Sequence, residues 1–116
     1  MLVTKEFEFA AAHFLTEYKG KCENLHGHTY KMQVSVNADP GEDGLAYDFS
    51  RIKDVVNSEV IDIVDHASLN DIIGPHPSAE NIALWSWKKL KNKLPLYEIK
   101  VWESPTSSVT YRGDLE

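Results

Sequence analysis

Only one cysteine stands in this chain of 116 residues, Cys22. No disulfide can close within the chain, so the fold is not a disulfide scaffold. Long apolar runs are also missing, and no stretch approaches the roughly 20 residues that a membrane-crossing helix needs. The opening residues carry glutamates inside their apolar stretch and lack the basic-then-apolar layout of a secretion signal. A cytoplasmic location is the expectation, with no membrane partner. Positive charge is scarce: 12 Lys and Arg face 18 Asp and Glu, for a net charge of −6. Nucleic acid is not an expected partner, because phosphate contacts need clustered cations. A small anionic substrate stays open, since a metal ion with one or two lysines makes a local positive pocket even in an acidic protein.

What is present fits a single domain over residues 1–116, with 42% hydrophobic and 26% charged residues. Residues 2–12 alternate, with Phe7, Phe9 and Ala11 on one face and Glu6 and Glu8 on the other, as in a half-buried strand. A loop is expected from Thr16 to about Leu25. Residues 26–38 alternate again, placing Tyr30, Met32, Val34, Val36 and Ala38 on one face. The stretch 39–44, rich in Asp, Gly and Pro, is a turn. Asp48 or Ser50 can then cap a helix in which Phe49, Ile52, Val55, Val56, Val60 and Ile63 recur at helical spacing. Residues 64–76 read as loop. Ser78 is a good cap for a second helix traced by Ile82, Ala83, Trp87, Leu90 and Leu94, which Pro95 stops. Tyr97, Ile99 and Val101 make a third strand ending at Glu103, and residues 108–112 a fourth. Grouped strands and grouped helices predict an α+β fold: a four-stranded antiparallel sheet with two helices on one face. The two free sheet edges make oligomerisation a reasonable expectation.

Three histidines fall on matched parity. His13 continues the inward face of the first strand, and His26 and His28 share the inward face of the second. Neutral imidazole suits zinc, and three protein ligands with an open position is the catalytic arrangement. A bare His-Gly-His is also common as a structural pair. Gly27 between the two would leave room for a metal or a substrate. Cys22, four residues before His26, has three readings: a fourth zinc ligand, a base or nucleophile, or a small buried residue. Its polar neighbours, Lys21 and Glu23, disfavour the last. Asp65-His66 is either a helix end with a favourable imidazolium or a carboxylate-tuned proton carrier. Glu103 sits on the inward parity of its strand, where a carboxylate needs a partner. It suits a guanidine-like ligand edge, or it simply turns to solvent. Glu80 is most simply a first-turn acid favouring the helix dipole. Trp85 and Trp87 are most simply core. Lys19 and Lys21 flank the Cys22 loop and are most simply solvated, although they could meet phosphate.

Taken in order, Phe9-Ala10-Ala11-Ala12-His13, Cys22-Glu23-Asn24-Leu25-His26-Gly27-His28, Asp48-Phe49, Asp65-His66 with Leu69-Asn70, Pro77-Ser78-Ala79-Glu80-Asn81 and Trp102-Glu103 cover nearly the whole chain. Together they closely resemble the 6-pyruvoyltetrahydropterin synthase / 6-carboxytetrahydropterin synthase family. The resemblance implies the tunnelling fold, in which trimers close a barrel from their sheets and commonly pair into hexamers. It implies zinc on His13, His26 and His28, catalysis by Cys22 and by Asp65 and His66 (the pair contributed by a neighbouring subunit), and pterin binding by Glu103, with Glu80 a further substrate contact. The implied substrate is 7,8-dihydroneopterin triphosphate. The bacterial branch makes 6-carboxy-5,6,7,8-tetrahydropterin with acetaldehyde and triphosphate, toward queuosine; the animal-type branch makes 6-pyruvoyltetrahydropterin. A further branch carries glutamate in place of the cysteine and makes 6-hydroxymethyl-7,8-dihydropterin for folate. This chain has both, Cys22 and Glu23. The competing class is a non-catalytic tunnelling-fold protein or a structural zinc protein. The joint presence of Cys22, His66 and Glu103 speaks for the enzyme.

Overall fold

The computed structural model describes residues 1–13 and 26–116, and for His26 the backbone alone. The alternating segments form long strands, β1 (Leu2–His13) and β2 (His26–Asn37), followed after the helices by β3 (Leu96–Ser104) and β4 (Ser107–Tyr111). They make one sheet in the order β1-β2-β3-β4, antiparallel throughout. Its inner face carries Phe7, Phe9, Ala11, Tyr30, Met32, Val34, Val36, Ile99 and Val101, all buried. Between β2 and β3 lie α1 (Phe49–Val56), a π-helical turn (Asn57–Ile61), α2 (Asp62–Val64), α3 (Leu69–Ile73) and α4 (Ala79–Leu90). Their apolar residues join the inner face of the sheet in one core.

Asp48 caps α1 by accepting from the Ser50 backbone N–H at 2.8 Å, and Ser78 caps α4 by accepting from that of Asn81 at 3.2 Å. The caps are where the sequence puts them, and three other details differ. The first helix does not keep a straight apolar stripe. The π turn inserts one residue into the ladder and slips the buried face onward, so Ile61 and Val64 are buried while Ile63 is exposed. Phe49, at its start, is exposed as well. Residues 64–76 are not all loop, because Leu69–Ile73 closes a short helix with Leu69 buried. In β3, the ladder shifts where Val36 pairs with Leu96 rather than Tyr97, a bulge that turns Tyr97 outward. Trp85 is half-buried, with the Lys89 ammonium 5.5 Å from its ring centre, whereas Trp87 is core.

The opposite face of the sheet is polar. Glu6 accepts from Gln33 at 3.2 Å and pairs with Lys31 at 3.3 Å, and the Lys31 and Lys100 ammoniums lie 4.8 and 4.7 Å from the Trp102 ring centre. No helix among the described residues is long and apolar enough to cross a membrane.

Candidate metal centre and adjoining clefts

The antiparallel register of β1 and β2 assembles the site. Ala11 pairs with His28, and His13 pairs with His26 at the end of the ladder. His13 is 1% exposed, and its ring meets that of His28 edge-on, with centroids 4.8 Å apart. Glu103 reaches the same point from β3. Its Oε1 lies 3.2 Å from His28 Nε2 and 3.6 Å from His13 Nε2. Ligand atoms of His13, His28 and Glu103 fall within 4.8 Å of one another, as a metal ion would require. Two imidazole nitrogens and a carboxylate oxygen are donors that zinc accepts. The side chain of His26, and Cys22 and Glu23 with the rest of residues 14–25, lie outside the described residues.

His13 is held from behind. Its Nδ1 lies 3.1 Å from the Pro77 carbonyl oxygen and 3.0 Å from the Tyr30 hydroxyl. A carbonyl only accepts, so this contact calls for a hydrogen on Nδ1, which leaves the Nε2 lone pair toward Glu103 and His28. Tyr30 is wholly buried and stacks on Phe9 with centroids 4.9 Å apart. Burial, and then the nearby Glu103 carboxylate, push its hydroxyl well above the usual phenol range, so it stays protonated. Sequence parity put Tyr30 on the histidine face but gave no hint that its hydroxyl meets His13. The Pro77 contact had no sequence signal, because a backbone carbonyl has no side-chain identity.

Ladder pairing between β2 and β3 ends at Lys31 and Trp102, and beyond it the two strands part. A cleft of about 620 Å³ opens there, lined by Gly27, His28, Tyr30, Lys31, Trp102 and Glu103, among others. A second cleft, on the β1 side, shares Gly27, His28 and Thr29 with the first and reaches His66. Among the described residues, a Cβ added at Gly27 would meet only the Ala11 carbonyl, at 3.8 Å.

Asp65 and His66 sit outside β1. Asp65 Oδ1 accepts from the Ala10 backbone N–H at 3.0 Å, His66 N–H donates to the Ala10 carbonyl at 2.6 Å, and Ala12 N–H donates to the Ala67 carbonyl at 3.0 Å. These bonds hold His66 at φ 59°, a left-handed conformation that non-glycine residues seldom adopt. Its imidazole is 83% exposed, with Nε2 3.5 Å from Asp65 Oδ2. Asp65 caps the end of α2, and His66 follows it outside the helix in the left-handed conformation. Two strands, β1 and β2, separate this pair from Glu103 on β3, about 14 Å measured along the sheet at ordinary strand spacing. Glu80 is exposed on the first turn of α4 and lines a different cleft, with Ala83, Val109, Tyr111 and Leu115. It is not brought to the histidines.

The family model described as 6-pyruvoyl tetrahydropterin synthase matches residues 2–114. The 6-carboxy-5,6,7,8-tetrahydropterin synthase of Synechocystis is 38% identical, the match covering 95% of this chain and 92% of that protein. The enzyme of that name from Haemophilus influenzae is 34% identical, over 95% of this chain and 97% of its own length. Among solved structures, the Caenorhabditis elegans 6-pyruvoyl tetrahydropterin synthase superposes with a TM-score of 0.87 at 29% identity, covering 98% of this chain and 96% of that one. With a buried and a half-buried histidine and a carboxylate converging at the mouth of a strand-end cleft, and with these relatives matched nearly end to end, the chain belongs to the 6-pyruvoyl tetrahydropterin synthase family.

Proposed function

We propose that this tetrahydropterin synthase converts 7,8-dihydroneopterin triphosphate and water to 6-carboxy-5,6,7,8-tetrahydropterin, acetaldehyde and triphosphate, with zinc held by His13, His26 and His28. The observation that carries the reading is the convergence of His13, His28 and Glu103 at one end of the β2–β3 cleft. The relatives at 34% and 38% identity, both named 6-carboxy-5,6,7,8-tetrahydropterin synthase, support this product over that of the 31% identical 6-pyruvoyl tetrahydrobiopterin synthase of Dictyostelium discoideum. The His13–His26 register favours His26 as the third ligand. That assignment leaves Glu103 to accept from the 2-amino and N3 edge of the pterin ring. Zinc, when bound, would polarise the substrate's side-chain hydroxyls and stabilise developing negative charge. His66, braced by Asp65, would move protons on and off the substrate side chain together with Cys22. Because Asp65-His66 lies across two strands from Glu103, the pair would serve the cleft of a neighbouring subunit in a trimer or hexamer. The product assigns the chain to 7-deazapurine (queuosine) synthesis.

The test is mass spectrometry of the products that the zinc-loaded protein makes from 7,8-dihydroneopterin triphosphate. The expected products are the carboxy pterin and acetaldehyde. A pyruvoyl pterin, or no turnover, would overturn the assignment. A second reading rests on Glu23 beside Cys22, a side activity giving 6-hydroxymethyl-7,8-dihydropterin for folate. It requires some of that product from the wild type and its selective loss in Glu23→Ala.

A further inference from the structure

We infer that the Tyr30 hydroxyl and the Pro77 carbonyl are positioning groups that lock the His13 imidazole with Nδ1 protonated, leaving the Nε2 lone pair for the metal. The inference rests on the zinc reading above and deepens it. A rotating or wrongly protonated imidazole would have to lose entropy, or shed a proton from Nε2, before it could ligate. Here both choices are made in advance. The Pro77 carbonyl, 3.1 Å from Nδ1, accepts its hydrogen, and the Tyr30 oxygen, 3.0 Å away, shares it. Both oxygens are themselves fixed. Tyr30 is pinned by burial and by stacking on Phe9, which faces it across the β1–β2 ladder. Pro77 is pinned by the start of α4. Ser78 Oγ accepts from the Asn81 backbone N–H at 3.2 Å, and Asn81 Nδ2 donates to the His76 carbonyl at 2.7 Å, clasping residues 76–78 from both sides. A helix cap and a strand tyrosine thus converge on one ring nitrogen. This gives Ser78 and Asn81 a task in the metal centre through the Pro77 carbonyl that they hold in place. It also lets His13 be so deeply buried, because its Nδ1 hydrogen keeps protein partners once water is excluded.

The decisive variant is Tyr30→Phe, which deletes one oxygen and keeps the ring that packs on Phe9. Zinc affinity is measured by competition with a chromophoric chelator, and unfolding by a thermal scan of the metal-free protein. Loss of an orienting partner of a metal-bound histidine typically weakens binding by about 10- to 100-fold. Tyr30→Phe is expected to fall in that range. Ile99→Val is the control. It loosens the core beside Val34 and touches neither oxygen, so it should lower the melting temperature and leave zinc affinity within about threefold of the wild type. Unchanged zinc affinity in Tyr30→Phe overturns the inference. So does an equal loss in Ile99→Val, since general packing rather than the hydroxyl would then orient His13. If the wild-type protein itself binds no zinc, the functional reading fails, and that result is distinguishable from a variant-specific one.

Discussion

Glu103 is the residue whose chemistry matters most to the reading. Its carboxylate stands 3.2 Å from His28 Nε2, close enough to be either a metal ligand or the anchor for a ring edge. Glu103→Gln separates the two. Gln keeps the shape but removes the charge that a bidentate hydrogen-bonding edge exploits, a loss of about 1.5–3 kcal/mol. As the anchor, the variant should hold a full complement of zinc by elemental analysis while kcat/KM falls by roughly 10- to 150-fold. Loss of zinc instead would move Glu103 into the ligand set. The inward parity of His13, His28 and Glu103 was visible in the sequence, because strand alternation assigns faces without knowledge of partners. That Glu103 meets both histidines was not visible, since it depends on how β3 docks beside β2.

At the scale of the element, the helix after Asp48 shows where periodicity misleads. A uniform helical repeat puts Ile63 on the buried face. The π turn at Asn57–Ile61 shifts the face by one residue, so Ile61 is 8% exposed and Ile63 39%. In urea unfolding, Ile61→Ala should cost about 2–4 kcal/mol, as for other buried isoleucines, and Ile63→Ala less than about 1 kcal/mol. The reverse order would restore the straight helix. The bulge that turns Tyr97 outward is the strand counterpart. Both irregularities are local insertions into a hydrogen-bond ladder, and composition does not mark them. The Asp48 and Ser78 caps, by contrast, were legible because capping is chemistry between near neighbours in sequence.

For the whole molecule, the two faces of the sheet have different fates. The inner face is covered by the helices, while the outer face carries Glu6, Lys31, Gln33, Lys100 and Trp102. The β1 edge is already occupied near Ala10 and Ala12 by the backbone around His66. If that segment supplies His66 to a neighbour's cleft, inactive variants should complement one another. His66→Ala and Glu103→Gln protomers, dissociated and reassembled together, would create sites with both residues intact and recover a substantial fraction of wild-type turnover. Sites built from one chain would recover none. Native mass spectrometry of the same mixtures reads the trimer or hexamer directly.

The sequence by itself determined which residues alternate, where the two capped helices begin and that His13, His28 and Glu103 share inward faces, because these follow from local geometry and chemistry. It also carried enough ordered motifs to point to the family. Tertiary structure alone decided that Glu103 closes on His13 and His28. It alone brought the Pro77 carbonyl, 64 residues distant, behind His13, and set His66 in a left-handed conformation outside β1. The reason is physical: each of these depends on the docking of segments far apart in the chain, and the burial and hydrogen bonds that fix the docking exist only once the core has formed.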